Sequence, residues 1–520
     1  MKPPCDEIAL RAPAADSPCA QQAGPWILAA TILGSSMAFI DSTVVNVALP
    51  ALQVSFHASI VDVQWVVESY ALFLGALILV GGSAGDLFGR RRIFLTGVVL
   101  FAFASAGCGL AQSVNQLIIA RAIQGIGAAL MVPGSLAIIS ASFPEQERGR
   151  AIGTWSGFTA MTTAFGPVLG GWLIEHASWR WVFFINLPLA AAVILISLWR
   201  VPESRSSVAK HLDKLGALIV TLGLGGLVYG LIESARLGWR NPRVSITMFL
   251  ALAGLVAFPF VEARTDSPMV PLKLFRSRTF TGANLLTLCL YSALGILFFV
   301  FPMNLIQVQH YSATAAGAAA LPFILLMFLL SRWSGGLVTR YGPRHPLIIG
   351  PIIAAVGFGL FALPSVGGSY WHNFFPAFLV LGFGMAVSVA PLTTVVMGSV
   401  DQDHAGTASG INNAVARVAG LLAIAVFGIV MVHAFAIRLD RSLSIPDLSQ
   451  QARDEAYASR TRLAAMEVPK SVSADMAREV QGDIADAFVL AFRIVVCCCA
   501  LLALLSSLTA VGMIRQNSSP

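Results

Sequence analysis

Runs of about twenty apolar residues recur along the whole chain, and that repetition constrains the fold more than any single motif. At about 1.5 Å per residue each run is long enough, as a helix, to cross a hydrocarbon core about 30 Å thick. Lipid offers the backbone no hydrogen-bond partners, so only helices and closed β-barrels span it. The runs lack the strict alternation of barrel strands, which leaves an all-α integral membrane protein. Charge content agrees: 11% of the 520 residues are charged, against about 25% in soluble domains.

Fourteen spans are read from the pattern: 26–49, 63–82, 93–111, 117–141, 151–174, 180–199, 212–232, 244–262, 284–306, 314–338, 346–363, 374–397, 408–433 and 486–514. An even number puts both termini on one side. Loops holding Arg90–Arg92, Arg148 with Arg150, Arg200–Lys214, Arg264–Arg278 and Arg340 with Arg344 all fall on the terminal side. The alternate loops 50–62, 112–116, 307–313 and 364–373 have neither Lys nor Arg. The positive-inside rule then predicts cytoplasmic termini in a cell inner (plasma) membrane. Among the short loops the one with Arg236, Arg240 and Arg243 runs against it, and the arginines of the long loop 434–485 carry no orientation signal, because long loops translocate regardless of charge. The net charge of +7 is read as topological, with the bilayer and not nucleic acid as the partner. Residues 1–25 are expected to be a disordered tail, 434–485 a long external loop with a polar helix over 450–463, and 515–520 a cytoplasmic tail.

The stretch Gly82-Gly-Ser-Ala-Gly-Asp86-Leu-Phe-Gly89-Arg90-Arg91-Arg92 is a glycine-rich turn ending in arginines. It is echoed at Gly335-Gly-Leu-Val-Thr339-Arg340-Tyr-Gly342: Gly335 follows Gly82, and Gly342 follows Gly89, by 253 residues. Gly382 and Gly384 follow Gly125 and Gly127 by 257. Six spans with loops need fewer residues than that. The offset therefore implies a six-helix bundle (26–199), a linker carrying two extra helices (200–283) and a second bundle (284–514), the parallel-repeat architecture of secondary transporters.

Between spans two and three, Gly82, Asp86, Gly89, Arg90 and Arg91 form a pattern that resembles the signature loop of the major facilitator superfamily. Asp41-Ser-Thr43-Val-Val-Asn46 through Pro50 resembles the first-helix motif of its fourteen-helix drug:proton antiporter branch. Arg121-Ala-Ile-Gln124-Gly125-Ile-Gly127 is similar to the family's arginine motif, and Gly153 with Gly166-Pro167-Val-Leu-Gly170-Gly171 to its antiporter motif. Thr162 and Leu87 depart from these patterns, and Thr339 replaces the acid in the second copy. The resemblance implies a two-bundle exporter that exchanges protons for small amphipathic or cationic compounds, with a cytoplasmic gate at the signature loop. It implies a role in proton coupling for Arg121.

Among single residues, Asp41 is the sharpest candidate: it lies about 22 Å along span one, and a charge at a helix centre costs about 2.5–3.5 kcal/mol on insertion scales. It reads either as a proton carrier or as a structural pair lining water. Arg121 reads as a coupling group or as a salt bridge near the interface. Glu68 is expected to join both in one polar cluster or to snorkel, and Glu233 is expected to be interfacial. Asn46 and Arg417 complete the proton and substrate candidates. Gly153, Gly166, Pro167, Gly170 and Gly171 are expected to pack helices closely or kink them. The signature-loop arginines are expected to reach Glu145, Asp401 or Asp403, and Asp86 the start of span thirteen.

No phosphate-binding glycine loop or paired metal motif occurs, so neither cofactor, metal nor enzyme activity is expected. A small-molecule substrate and protons are the expected partners, the chain being a monomer, with a periplasmic adaptor protein left open. A dedicated exporter of one metabolite, lipid or siderophore is the alternative, and a membrane sensor the lower-ranked one.

Overall fold

The computed structural model describes residues 18–205, 213–265, 268–400, 405–442, 460–466 and 474–514, and among these there are helices, turns and no strand. The long helices are α1 (Pro18–Phe56), α2 (Ile60–Phe88), α3 (Arg90–Leu110), α4 (Val114–Ser142), α5 (Glu145–His176), α6 (Trp181–Arg200) and α7 (Lys214–Leu237). They continue as α8 (Pro242–Glu262), α9 (Arg278–Met303), α10 (Leu321–Gly335), α11 (Arg344–Leu360), α12 (Phe375–Gly398), α13 (Ala405–Ser442) and α14 (Ala474–Met513). Twelve helical stretches are long and apolar enough to span a membrane. The 32-residue α5 and 17-residue α11 bring the set to the expected fourteen. Large apolar side chains such as Phe103, Leu195, Phe249 and Leu329 stay exposed on these helices, as they must where the surrounding solvent is hydrocarbon.

Three expectations are corrected. Residues 18–25 of the supposed disordered tail are helical, α1 beginning at Pro18; proline is accommodated in a first turn, where its missing N–H would go unused. Residues 1–17 and 515–520 lie outside the described residues. The loop expected over 434–485 is shorter at both ends, because α13 runs on to Ser442 and α14 starts at Ala474. The apolar window ends there, but Ala, Arg, Asp and Glu sustain a helix in water. Of the polar helix expected over 450–463, residues 460–463 lie in a 3-10 turn, Arg460–Ala465, and 450–459 lie outside the described residues.

The chain divides into two compact units. One comprises Met1–Val45, Ser69–Leu224 and Gly254–Met269; the other comprises Asn46–Glu68, Gly225–Ala253 and Val270–Pro520. In the first, α4 is held by two glycines on different faces. A Cβ on Gly125 would lie 2.4 Å from the Tyr70 carbonyl oxygen of α2, and one on Gly127 would lie 2.6 Å from the Phe101 nitrogen and 2.9 Å from the Gly97 oxygen of α3. The second unit repeats the joint. A Cβ on Gly382 of α12 would meet Phe323 of α10 at 3.1 Å, and one on Gly384 would meet Ala354 at 2.4 Å and Gly350 at 2.8 Å on α11. Tyr70, Gly97 and Phe101 precede Phe323, Gly350 and Ala354 by the same 253 residues that separate the two glycine turns. The internal repeat is thus a repeat of contacts.

Within the second unit, α9 packs on α13 and α14, and α11 on α12 and α14. Phe301, Phe361 and Phe378 meet edge to face at 4.9–5.4 Å in its core. The extra hairpin closes there through Gly226 against Ala251 and Gly230 against Met248.

Candidate functional site

The polar centre of the first unit is built on Asp41, midway along α1. Arg121 Nη1 donates to one Asp41 carboxylate oxygen, and Gln124 Nε2 donates to the other at 2.9 Å. The same Arg121 nitrogen donates to Gln124 Oε1 at 2.8 Å. Arg121 and Gln124 stand three residues apart on α4 and so share a face. Behind them Gln124 Nε2 reaches Ser105 Oγ at 3.3 Å, Asn186 Nδ2 donates to that oxygen at 3.0 Å, and Ser105 donates to the Phe183 carbonyl. Asp41, Ser105, Gln124 and Asn186 are fully buried and Arg121 is 1% exposed. The guanidinium also lies over the Tyr70 ring, 4.2 Å from its centroid, where the negative face of the ring attracts a cation.

Helix α5 presses on the turn that carries Asp41. A Cβ on Gly166 would lie 2.4 Å from Thr43 Oγ1 and 3.5 Å from Ile40, and one on Gly170 would lie 2.6 Å from Val44 Cγ1. The antiporter-like glycines therefore let α5 touch α1 where Asp41 sits. Pro167 is inside the helix and Gly171 is buried. Gly153 is exposed with open space around it, so it serves no close contact.

The cluster expected of Asp41, Arg121 and Glu68 is corrected: Asp41 and Arg121 bond to each other and to Gln124, and Glu68 joins none of these bonds. Glu68 is fully buried, and neither carboxylate oxygen has a hydrogen-bond partner among the described residues. It belongs to the second unit, as do Asn46, whose Oδ1 is also buried without a partner, and Arg417, half-buried on α13. Ahead of Arg417, Asn412 Nδ2 donates to Thr287 Oγ1 at 2.7 Å and to Asn284 Oδ1 at 3.1 Å.

At the glycine turn, α2 ends at Phe88 and α3 starts at Arg90. Gly89 between them has φ +112°, a backbone that only glycine adopts freely. Arg90 pairs with Asp86 of the preceding turn, Nη2 to Oδ1 2.7 Å. Arg91 meets the segment after α6: its backbone N–H donates to Glu203 at 3.0 Å and its guanidinium to the Val201 carbonyl at 2.9 Å, while the side chain of Glu145 lies outside the described residues. Arg92 N–H donates to the other Glu203 oxygen at 3.2 Å, and Arg90 N–H to the Ser204 carbonyl. A Cβ on Gly89 would lie 2.7 Å from Glu203 Oε1. Gly82 makes only ordinary contact, with Pro133. Asp401 and Asp403 lie outside the described residues.

The model of the Major Facilitator Superfamily matches residues 31–424. The chain belongs to the major facilitator superfamily. The multidrug resistance protein Stp of Mycobacterium tuberculosis (strain CDC 1551 / Oshkosh) is 36% identical over 82% of this chain and 79% of its own length. The tetracenomycin C resistance and export protein of Streptomyces glaucescens is 35% identical, covering 78% and 76%. Multidrug export protein EmrB of Haemophilus influenzae is 33% identical, covering 77% and 79%. Among solved structures, a bacterial homolog of the human lysosomal transporter Spinster, inward-facing and unoccupied, matches with TM-score 0.66 and 19% identity. That match covers 97% of this chain and 100% of the other, and it places the fold of this multi-pass membrane protein within the family.

Proposed function

We propose that this chain is a proton-coupled exporter of small amphipathic or cationic compounds, working by alternating access as a multidrug efflux pump of the plasma membrane. The observation that carries the reading is the buried Asp41–Arg121 ion pair, bonded to the buried Gln124, inside a membrane-spanning bundle. Such charges are costly in a membrane and mark ion and substrate pathways. A proton on Asp41 neutralises the carboxylate that pairs with Arg121, so taking up and releasing that proton breaks and remakes the pair. Asp41 and Arg121 thus carry the coupling, with Glu68, Asn46 and Arg417 as further candidates on the proton and substrate path. The signature loop, Gly82 to Arg91, forms the cytoplasmic gate, its arginine-bearing turn clasped by Glu203. Two six-helix bundles, at 26–199 and 284–514, with two extra helices between them and both termini cytoplasmic, complete the reading.

A dedicated exporter is the second reading, favoured by relatives named for one compound each, such as the Streptomyces glaucescens protein and the lincomycin resistance protein of Streptomyces lincolnensis. Resistance profiling of an overexpressing strain against a broad panel, repeated with Asp41→Asn, separates the two. Protection against many unrelated compounds, lost in the variant, supports the multidrug pump, and protection against one supports the dedicated exporter. No protection removes the drug reading, and protection that survives Asp41→Asn removes the role given to that carboxylate.

A further inference from the structure

The outer turn of α7, on the side that the arginine distribution assigns to the exterior, carries a carboxylate for which the coupling set above has no use. Glu233 is 5% exposed. An interfacial glutamate of the ordinary kind turns its oxygens to water, but this one accepts the Trp65 indole N–H of α2 on Oε1 at 3.1 Å. Its other oxygen accepts from Arg236, at 2.8 Å from Nη2 and 3.0 Å from Nε. Arg236 is 57% exposed, so this partner can swing into solvent. Tyr229, one turn down α7, packs on Trp65 with ring centroids 6.1 Å apart. Gln64 Nε2 ties the same turn of α2 to the Ile424 carbonyl of α13 at 2.9 Å, so Trp65 is held in place.

Trp65 stands three residues from Asp62 on one side and from Glu68 on the other along α2, and so neighbours each, the steps rising about 4.5 Å. Asp62, the outermost, is engaged by Ser59 N–H and Oγ at 2.9 and 2.7 Å. Glu68, the deepest, is the fully buried carboxyl whose oxygens lack partners. Glu233 is thus touched by Arg236 of its own helix and by Trp65 of the facing one, with Tyr229 packed on Trp65 and the carboxyls Asp62 and Glu68 one turn to either side of Trp65 on α2. Arg240 and Arg243 are exposed beyond it. A buried acid needs a path to water, and this stretch leads to the one carboxylate that touches both the stretch and an exposed cation.

We propose that Glu233 is the entry carboxylate through which protons from the outer face reach Glu68, which gives the extra α7–α8 hairpin a part in coupling. Hydronium at the outer surface gives a proton to Glu233 as Arg236 turns away; a water entering from the outer face takes that proton and releases one to Glu68, and Glu233 returns to Arg236. The balance needs only bulk water and leaves Glu233 unchanged. The inference rests on the proton-coupled reading of the function.

The test is time-resolved infrared spectroscopy of the full chain in proteoliposomes after an acid jump on the outer side, following the rise of the protonated-carboxyl band. The component missing in Glu68→Gln identifies Glu68. In Glu233→Gln, which keeps an acceptor for Trp65, that component is expected to reach its full amplitude at least tenfold more slowly. Arg236→Gln changes a side chain that is 57% exposed and keeps a donor for Glu233. It removes the cation competing with the proton, and the rise should quicken about threefold. Unchanged rates in both variants, or no component missing in Glu68→Gln, overturn the proposal. Such an outcome leaves the antiport reading standing, since that reading falls only with the Asp41→Asn profile.

Discussion

The buried pair at the centre of the first unit makes a quantitative demand on stability. In Asp41→Asn the amide keeps an acceptor for Gln124, but Arg121 keeps its charge and loses the carboxylate that balances it, retaining Gln124 Oε1 and the Tyr70 and Phe183 rings nearby. Removing one partner of a buried ion pair costs about 3–5 kcal/mol, because the other charge is left uncompensated. Arg121→Met strands the carboxylate on the Gln124 amide alone and belongs in the same range. The double variant has no stranded charge. It loses net hydrogen bonds worth about 1 kcal/mol each, so its cost should be about 1–3 kcal/mol, far below the sum of the singles. The cycle then yields a coupling of about 3 kcal/mol or more, the upper end of what contacting residues show. Unfolding in mixed micelles, followed by tryptophan fluorescence, measures all four proteins, and export is assayed alongside. All three variants should fail to export, including the stable double one. Singles that add to within about 0.5 kcal/mol of the double, or a double variant that still exports, would refute the argument.

Other perturbations test neighbouring joints. Gly89→Ala meets both a positive φ and a Glu203 oxygen 2.7 Å away, and should lose about 1–3 kcal/mol, seen in the same unfolding assay. Glu203→Ala leaves the Arg91 and Arg92 backbone N–H groups without their acceptor. Trypsin should then cut at Arg90–Arg92 several-fold faster than in wild type, with Glu203→Gln intermediate. Gly166→Val overpacks α5 on Thr43 at a cost of about 1–3 kcal/mol; export should fall and recover in part with Thr43→Ala. Gly153→Ala, pointing into open space, should change neither stability nor export, and a loss like that of Gly166→Val would refute the contact argument.

The fold was legible because lipid leaves so few choices: run length, loop arginines and a constant glycine offset lead to fourteen helices in repeated sets. Asp41 and Arg121 were legible for the same reason, as charges where charges are costly. Gln124 was within reach, three residues past Arg121 and so on its face, although it looked like one more motif residue. Ser105, Asn186 and Tyr70 were not, since each is an ordinary polar or aromatic residue on a different helix and only packing brings them to one point. Glu203 was hidden differently. It sits 111 residues after Arg92 in a loop read as topogenic, and its value lies in two backbone N–H groups that no side-chain pattern encodes. The ends of α13 and α14 were misjudged because hydropathy marks where lipid stops and not where a helix stops.

The repeat also bears on the role proposed for the polar set. Counting 257 residues on from α4, Arg121 corresponds to Phe378 and Gln124 to Leu381. Counting 253 on from α3, Ser105 corresponds to Phe358 and Cys108 to Phe361. All four of these are fully buried, and Phe361 and Phe378 close on Phe301 of α9 in the ring cluster of the second unit. The glycine joints beside them are the same in both units, so one helix arrangement is closed by rings in one copy and by an ion pair in the other. Apolar replacement of buried pairs is often neutral or stabilising by about 1–4 kcal/mol. Packing alone would therefore favour the solution found in the second unit. The first unit forgoes it, and what it holds instead is a carboxylate whose strongest bond is to a charge that protonation releases. That exchange fits the proton coupling proposed for Asp41 and Arg121.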